Sequence, residues 1–187
     1  MSWPRRAVHD DVKRELNLDE EQFRRFWRDY VQALYGRGKV TEFEMWQRVR
    51  QDLGIREVKV EENLLGREFA KTTEVYADVL DRIGDLKNRR FQIAILSNTN
   101  EAHSKIMRQN KIFDQFDHVF LSHDMGVRKP APEVFQHALK GLNAKPSETL
   151  FIDDSLENIN AAKEIGMHTI LARSPKQTIW DMESLLT

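Results

Sequence analysis

With 187 residues, 29 basic against 30 acidic side chains and 40% hydrophobic content, the chain has the profile of one α/β domain with room for a small insert. So even a charge balance carries neither the basic stripe of a nucleic-acid binder nor the basic amphipathic helix of a membrane-surface protein; no nucleic acid and no membrane are expected as partners. The sequence holds no cysteine, which excludes disulfides, thiolate metal sites and a cysteine nucleophile. A cytoplasmic location is expected, because Met1 to Asp10 lacks the apolar stretch of a secretory signal and no run approaches a membrane span.

Residues 7–83 read as an all-helical unit, with no period-two or continuous β-rich run. Val8, Val12 and Leu16 recur every fourth residue and place Asp10 and Asp11 on the polar side of a first helix. After a cap at Asp19, the positions of Phe23, Phe26, Trp27, Tyr30, Val31 and Leu34 predict a helix with one buried face. Thr41 followed by Glu44 is a capping-box pattern opening a helix that carries Phe43, Trp46, Val49 and Leu53 and stops at Gly54. A further helix is suggested by Val75, Tyr76, Val79, Leu80 and Ile83. These aromatic stripes are read as helix packing rather than a ligand box.

Residues 84–187 change character to short apolar runs alternating with amphipathic helices. Strands are expected at Phe91 to Leu96, His118 to Leu121, Thr149 to Ile152 and Thr169 to Leu171, as in a parallel sheet covered on both faces. Helices are expected at Glu101 to Gln109, at Pro132 to Leu142 with proline in the first turn, at Leu156 to Ile165 before Gly166, and at Lys176 to Leu186.

Open parallel sheets carry their functional loops at the carboxyl ends of the strands, and polar residues cluster there. Ser97-Asn98 follows the first run and precedes a helix, where a hydroxyl and backbone N–H groups could hold a phosphate oxygen; both types are also ordinary turn and cap residues. Asp153-Asp154, with Asn158 beyond, ends the third run. Adjacent carboxylates repel unless a cation lies between them, and oxygen-only ligands suit magnesium; the plainer reading has Asp154 or Ser155 capping the next helix while Asp153 faces water. Lys129 precedes Pro130 and Pro132, which stiffen the chain and would aim its ammonium, although a solvated lysine before a helix looks the same in sequence. The six histidines show no metal-ligand spacing and are read as core or surface residues.

Taken in order, Ile95-Leu96-Ser97-Asn98-Thr99, Arg128-Lys129-Pro130-Ala131-Pro132-Glu133-Val134-Phe135 and Phe151-Ile152-Asp153-Asp154-Ser155-Leu156-Glu157-Asn158 resemble motifs II, III and IV of haloacid-dehalogenase-like hydrolases. The pattern is most similar to the subfamily with a small helical cap after the first strand, which includes sugar-phosphate phosphatases and the phosphatase domain of soluble epoxide hydrolases. The resemblance implies a Rossmann-like parallel sheet flanked by helices, with residues 7–83 as the helical cap and 84–187 as the α/β core. It also implies a magnesium-dependent phosphatase that works through an aspartyl-phosphate on a small phosphorylated metabolite. Ser97 and Asn98 would then bind the phosphoryl group, Lys129 would neutralise it, and Asp153 and Asp154 would hold magnesium with Asn158 in the outer shell.

One part of the family pattern is missing from the sequence. Motif I, an apolar strand ending in Asp-x-Asp or Asp-x-Gly whose first aspartate is the nucleophile, has no counterpart in Met1 to Asp11. The resemblance places that strand in the middle of the sheet, so its absence would leave two unpaired edges that invite self-association. The chain is therefore expected to be inactive as written, through N-terminal truncation or degeneration. Two other readings are a non-catalytic phosphometabolite-binding or interaction protein, and an enzyme of the 2-haloacid dehalogenase type, against which the magnesium-type carboxylate pair argues.

Overall fold

The computed structural model describes residues 5–55, 64–72 and 77–186. Helix α1 (Arg5–Glu15) is amphipathic, with Val8, Val12 and Leu16 all at most 2% exposed. Asp10 is exposed, and Asp11 pairs with Arg14 on the same outer face, so neither aspartate approaches the strand ends. Helix α2 (Glu20–Arg25) begins at Asp19, whose carboxylate accepts the Gln22 N–H at 2.8 Å while the Gln22 amide oxygen accepts the Asp19 N–H at 3.0 Å.

The expected single helix through Leu34 is not uniform. From Phe26 to Gln32 it widens into a π-helical stretch, followed by a short 3₁₀ turn, Tyr35–Arg37. A side-chain period of about four residues cannot distinguish α from π winding, so this widening leaves no mark in the residue pattern. Helix α3 (Glu42–Leu53) carries the Thr41/Glu44 capping box and ends at Gly54 in a left-handed conformation, as expected. Helix α4 (Leu64–Thr72), which the sequence reading did not pick out, closes this unit.

One hydrophobic cluster holds these helices together, with Phe26, Tyr35, Met45, Trp46, Leu64 and Leu65 at its centre. Trp46 stacks on Phe26 with ring centroids 5.5 Å apart, so these aromatics of the stripe are committed to packing. Val75 and Tyr76 lie outside the described residues. Helix α5 (Ala77–Asn88) contains Ile83 and runs on past it; its Leu86 is buried with Ile170 and Met182 of the α/β part.

The α/β part contains strands β1 (Ala94–Ser97), β2 (His118–Leu121), β3 (Leu150–Asp153) and β4 (His168–Leu171), all in parallel pairs. Between and after them come α6 (Glu101–Gln109), the short α7 (Ser122–Met125), α8 (Pro132–Leu142), α9 (Leu156–Glu164) and α10 (Pro175–Leu186). The α/β class and the strand and helix order follow the sequence closely. The first strand starts later than its apolar run because Arg90 takes a left-handed turn (φ 66°), which leaves Phe91 39% exposed. Ser97 and Asp153 are the last residues of their strands rather than the first of their loops.

Among the described residues, β1 has β2 as its strand neighbour and β3 has β4, so the parallel strands form two separate pairs. Helices α8 and α9 cover the β3 side through Val134, Phe135, Ile159 and Ala162, packed on Phe151. Met107, Ile112 and Phe113 pack with Leu121 on the β2 side.

Candidate functional site

The carboxyl ends of β1 and β3 are joined by a lysine. The Lys129 ammonium donates to the Leu96 carbonyl at 2.6 Å and to Asp153 Oδ2 at 2.7 Å, and lies 5.3 Å from the centre of the Phe151 ring. Both members of this ion pair are below 10% exposed, which overturns the solvated-lysine reading. Its backbone is fixed by Asn98: the side-chain amide donates to the Lys129 carbonyl at 2.8 Å, and its oxygen accepts the Lys129 N–H at 2.8 Å. The segment is further constrained by Pro130 and by Pro132 in the first turn of α8.

Asp153 does not face water. Its Oδ1 accepts the Ser155 N–H at 2.8 Å and the Asn158 amide at 2.9 Å, while Oδ2 takes Lys129. Ser155 stands at the start of α9 without a side-chain cap bond, so the reading in which its hydroxyl caps that helix fails. Asp154 is exposed at the mouth. Ser97, Asn98, Lys129, Asp153, Asp154 and Asn158 all line one cavity of about 1650 Å³. Of these, Asn98, Lys129, Asp153 and Asn158 are joined by hydrogen bonds, and Ser97 and Asp154 share the cavity with them.

The Lys129 residue and the Ser97–Asn98 segment both line this cavity. The carboxylates lining the cavity, among the described residues, are Glu148, Asp153, Asp154 and Glu157, all on the β3 side. No cluster of three or more His, Asp or Glu suited to a metal ion occurs among the described residues. Magnesium asks for less, since one or two carboxylates suffice when substrate oxygens and water complete its octahedron. Exposed Asp154 and the remaining lone pair of Asp153 Oδ2 fit that demand.

Several residues around the site were not foreseen. Ser122, just past β2, accepts the Thr99 N–H at 3.0 Å and has the carbonyls of Thr99 and Gly36 within 2.8 Å and 2.7 Å of its hydroxyl. It thereby ties the loop after β1 to the 3₁₀ turn of the helical unit. The same joint is held by Tyr35, whose hydroxyl accepts the Ala102 N–H at 2.8 Å. Burial, and then the nearby Glu42, push the Tyr35 phenol well above its usual range, which keeps it neutral. Gly38 (φ +61°) passes so close that a Cβ there would lie 2.1 Å from the His123 carbonyl oxygen, a contact that only glycine permits.

His103, beside this joint, has its Nδ1 2.8 Å from the Thr99 hydroxyl. Burial, and secondarily His123, lower its pKa to about 4, so it is a neutral core histidine as its isolated position in the sequence suggested. Ser122 carries no sequence signal beyond a small polar residue at a strand end. Asn100, which caps α6 by accepting the His103 N–H at 3.0 Å, takes the capping role that Ser97 and Asn98 could have held.

A family model described as haloacid dehalogenase-like hydrolase matches residues 3–166. The D-ribitol-5-phosphate phosphatase of Bacteroides thetaiotaomicron is 37% identical over 103 residues, 51% of this chain and 50% of that protein. The glyceraldehyde 3-phosphate phosphatase of Pyrococcus furiosus is 36% identical over 101 residues, 52% of this chain and 42% of that protein. The chain thus aligns with about half the length of these curated relatives. A solved HAD family enzyme from Bacteroides thetaiotaomicron superposes with a TM-score of 0.81 at 25% identity, covering 96% of this chain and 92% of its own. That enzyme has also been solved with magnesium and inorganic phosphate, with a TM-score of 0.76, 26% identity and coverage of 90% and 86%. No described helix is long and apolar enough to cross a membrane.

Proposed function

Because this chain belongs to the haloacid dehalogenase-like hydrolases, we propose that its site is that of a magnesium-dependent phosphatase for a small phosphorylated metabolite. The observation that carries this reading is the Lys129 ammonium held between the Leu96 carbonyl and Asp153, at the point where two parallel strands end. A fixed positive charge in a sheltered position stabilises phosphoryl oxygens without reorganising. The sugar-phosphate phosphatases among its relatives and the magnesium and phosphate complexes of its structural neighbour support the same chemistry.

In this reading Ser97 and the Asn98 backbone bind the phosphoryl oxygens, and Lys129 offsets their charge. Asp154 and Asp153 hold the metal, and Asn158 fixes the Asp153 carboxylate by donating to Oδ1. Magnesium, when bound, supplies the charge neutralisation that two carboxylates and a phosphate together require. The Asn98 side chain sets where the ammonium sits by holding the Lys129 main chain from both sides. Residues 7–83 form the cap in this reading, and the cap walls, including Trp27, Arg28 and Arg37, would meet the leaving group. The protein would work in the cytoplasm.

In this reading the chain as written lacks the nucleophile and does not turn over, which is supported by the lack of a carboxylate of the described residues on the β1 side of the cavity. A phosphate-binding protein without catalysis is the second reading that this same observation favours. The test is hydrolysis of a generic aryl phosphate with magnesium. The expected result is no rate above background; magnesium-dependent hydrolysis that Asp154→Ala abolishes and Asp11→Ala leaves intact would refute the missing nucleophile.

A further inference from the structure

We infer that Arg37 is a second anion site on the wall of the cavity that holds Lys129, so that the ligand is a phosphate ester whose leaving group carries a carboxylate or a further phosphoryl group. This rests on the phosphatase reading for the first anion site and adds what the other end of the molecule must be.

Arg37 closes the 3₁₀ turn Tyr35–Arg37 of the helical unit and lines the cavity of about 1650 Å³ together with Ser97, Lys129 and Asp154. The residue is half-buried. Its Nε is fully buried, and the guanidinium has no hydrogen bond or ion pair with any described residue. A buried donor left without an acceptor is costly, and that cost disappears when a ligand brings the acceptor. The planar fork of a guanidinium takes a carboxylate or a phosphoryl group through two parallel bonds.

Other arginines on the wall are placed differently. Arg28 is held by Asp29 at 2.6 and 3.0 Å, Arg82 by Asp85 and Glu183, and Arg90 and Arg173 are exposed to water. Among the described residues the helical unit gives this cavity no carboxylate, so no acid on that wall neutralises Arg37.

The backbone that carries Arg37 is fixed to the segment after β1. The Gly36 carbonyl accepts the Ser122 hydroxyl at 2.7 Å, and the same hydroxyl oxygen accepts the Thr99 N–H at 3.0 Å. Thr99 lies two residues past Ser97, at most roughly 8 Å along the backbone, so Arg37 starts close to where the phosphoryl group binds. Both anions therefore belong to one small molecule with a few carbon atoms between them, and the second cation is positioned before the ligand arrives. The phosphatases this chain resembles are named for phosphate esters of ribitol and glyceraldehyde, whose leaving groups are neutral; the inference separates this chain from them.

Calorimetric titration of the full chain in excess magnesium tests it with three probes. Glycerol phosphate has a neutral leaving group; phosphoglycerate, with its phosphate on the carbon farthest from the carboxylate, and propanediol bisphosphate, with one phosphate at each end, are two-headed. At least one two-headed ester should bind about tenfold or more tightly than glycerol phosphate, and the tighter of the two identifies the second group. Arg37→Gln should remove that preference while leaving glycerol phosphate affinity within about twofold. Arg90→Gln, at an exposed position on the wall, should keep the preference, which separates a bound pair from general attraction between charges. Equal affinities in the wild type overturn the inference without any variant, and so does a preference that survives Arg37→Gln or is lost in Arg90→Gln. If all three esters fail to bind, the phosphatase reading falls as well; if glycerol phosphate binds and the others bind no tighter, this inference alone falls.

Discussion

Replacing Lys129 by methionine keeps most of the side chain's length and its contact with Phe151 but removes the ammonium. The pair it breaks is short, 2.7 Å, with side-chain exposures of 9% for Lys129 and 7% for Asp153. Deleting one partner of a buried pair costs roughly 3–5 kcal/mol, most of it the stranded charge. Asp153 keeps the Ser155 N–H and the Asn158 amide, which places the expected loss near the lower end, about 3 kcal/mol. Urea unfolding at pH 7 of the wild type, Lys129→Met, Asp153→Asn and the double variant measures it. Removing both charges should cost less than the sum of the single changes by about 2 kcal/mol. A Lys129→Met loss below about 1 kcal/mol, or strict additivity, would show the pair to be water-screened and the reasoning wrong.

Acid should weaken the fold through His103. Its folded pKa is lowered to about 4 from 6.5, so within that window the unfolded chain holds a proton that the folded one refuses. Its stabilising contribution is whole above pH 6.5 and declines as pH falls towards 4, by roughly 1.4 kcal/mol per pH unit and about 3 kcal/mol in all. Urea midpoints at pH 7, 5.5 and 4.5 should fall more steeply for the wild type than for His103→Gln; equal slopes would contradict the assignment. Gly38→Ala should destabilise by more than about 1 kcal/mol, because the new Cβ meets the His123 carbonyl and the left-handed backbone resists alanine. Thermal unfolding reads that loss, and an unchanged midpoint would mean that the turn moves freely off the α/β part.

Much of this fold is written locally. Asp19, Thr41 and Gly54 mark helix ends because capping needs only neighbouring residues, and His118 to Leu121 reads as a strand because its apolar run is bounded by polar residues. The candidate site was legible for a different reason: the segments that hold Ser97, Lys129 and Asp153 each read alone as ordinary turn, cap or loop chemistry, and only their order along the chain resembles the family's motifs. Asn98 as the holder of Lys129 was not legible, since the two are 31 residues apart and nothing in either segment encodes the meeting. Ser122 and Tyr35 were missed likewise; their partners are set by how the helical unit docks. The π-helical stretch from Phe26 hides in a spacing that α-helices share, and α4 went unread although Asn63, a favoured N-cap type, directly precedes it in the sequence.

Convergence of Ser97, Lys129 and the Asp153–Asp154 pair on one anion site is most directly tested by calorimetric titration of inorganic phosphate into the wild type, Asp154→Asn and Ser97→Ala, each with and without magnesium. The account predicts binding that magnesium strengthens, with that strengthening lost in Asp154→Asn and affinity reduced about tenfold in Ser97→Ala. Phosphate binding indifferent to magnesium and to both substitutions would contradict it.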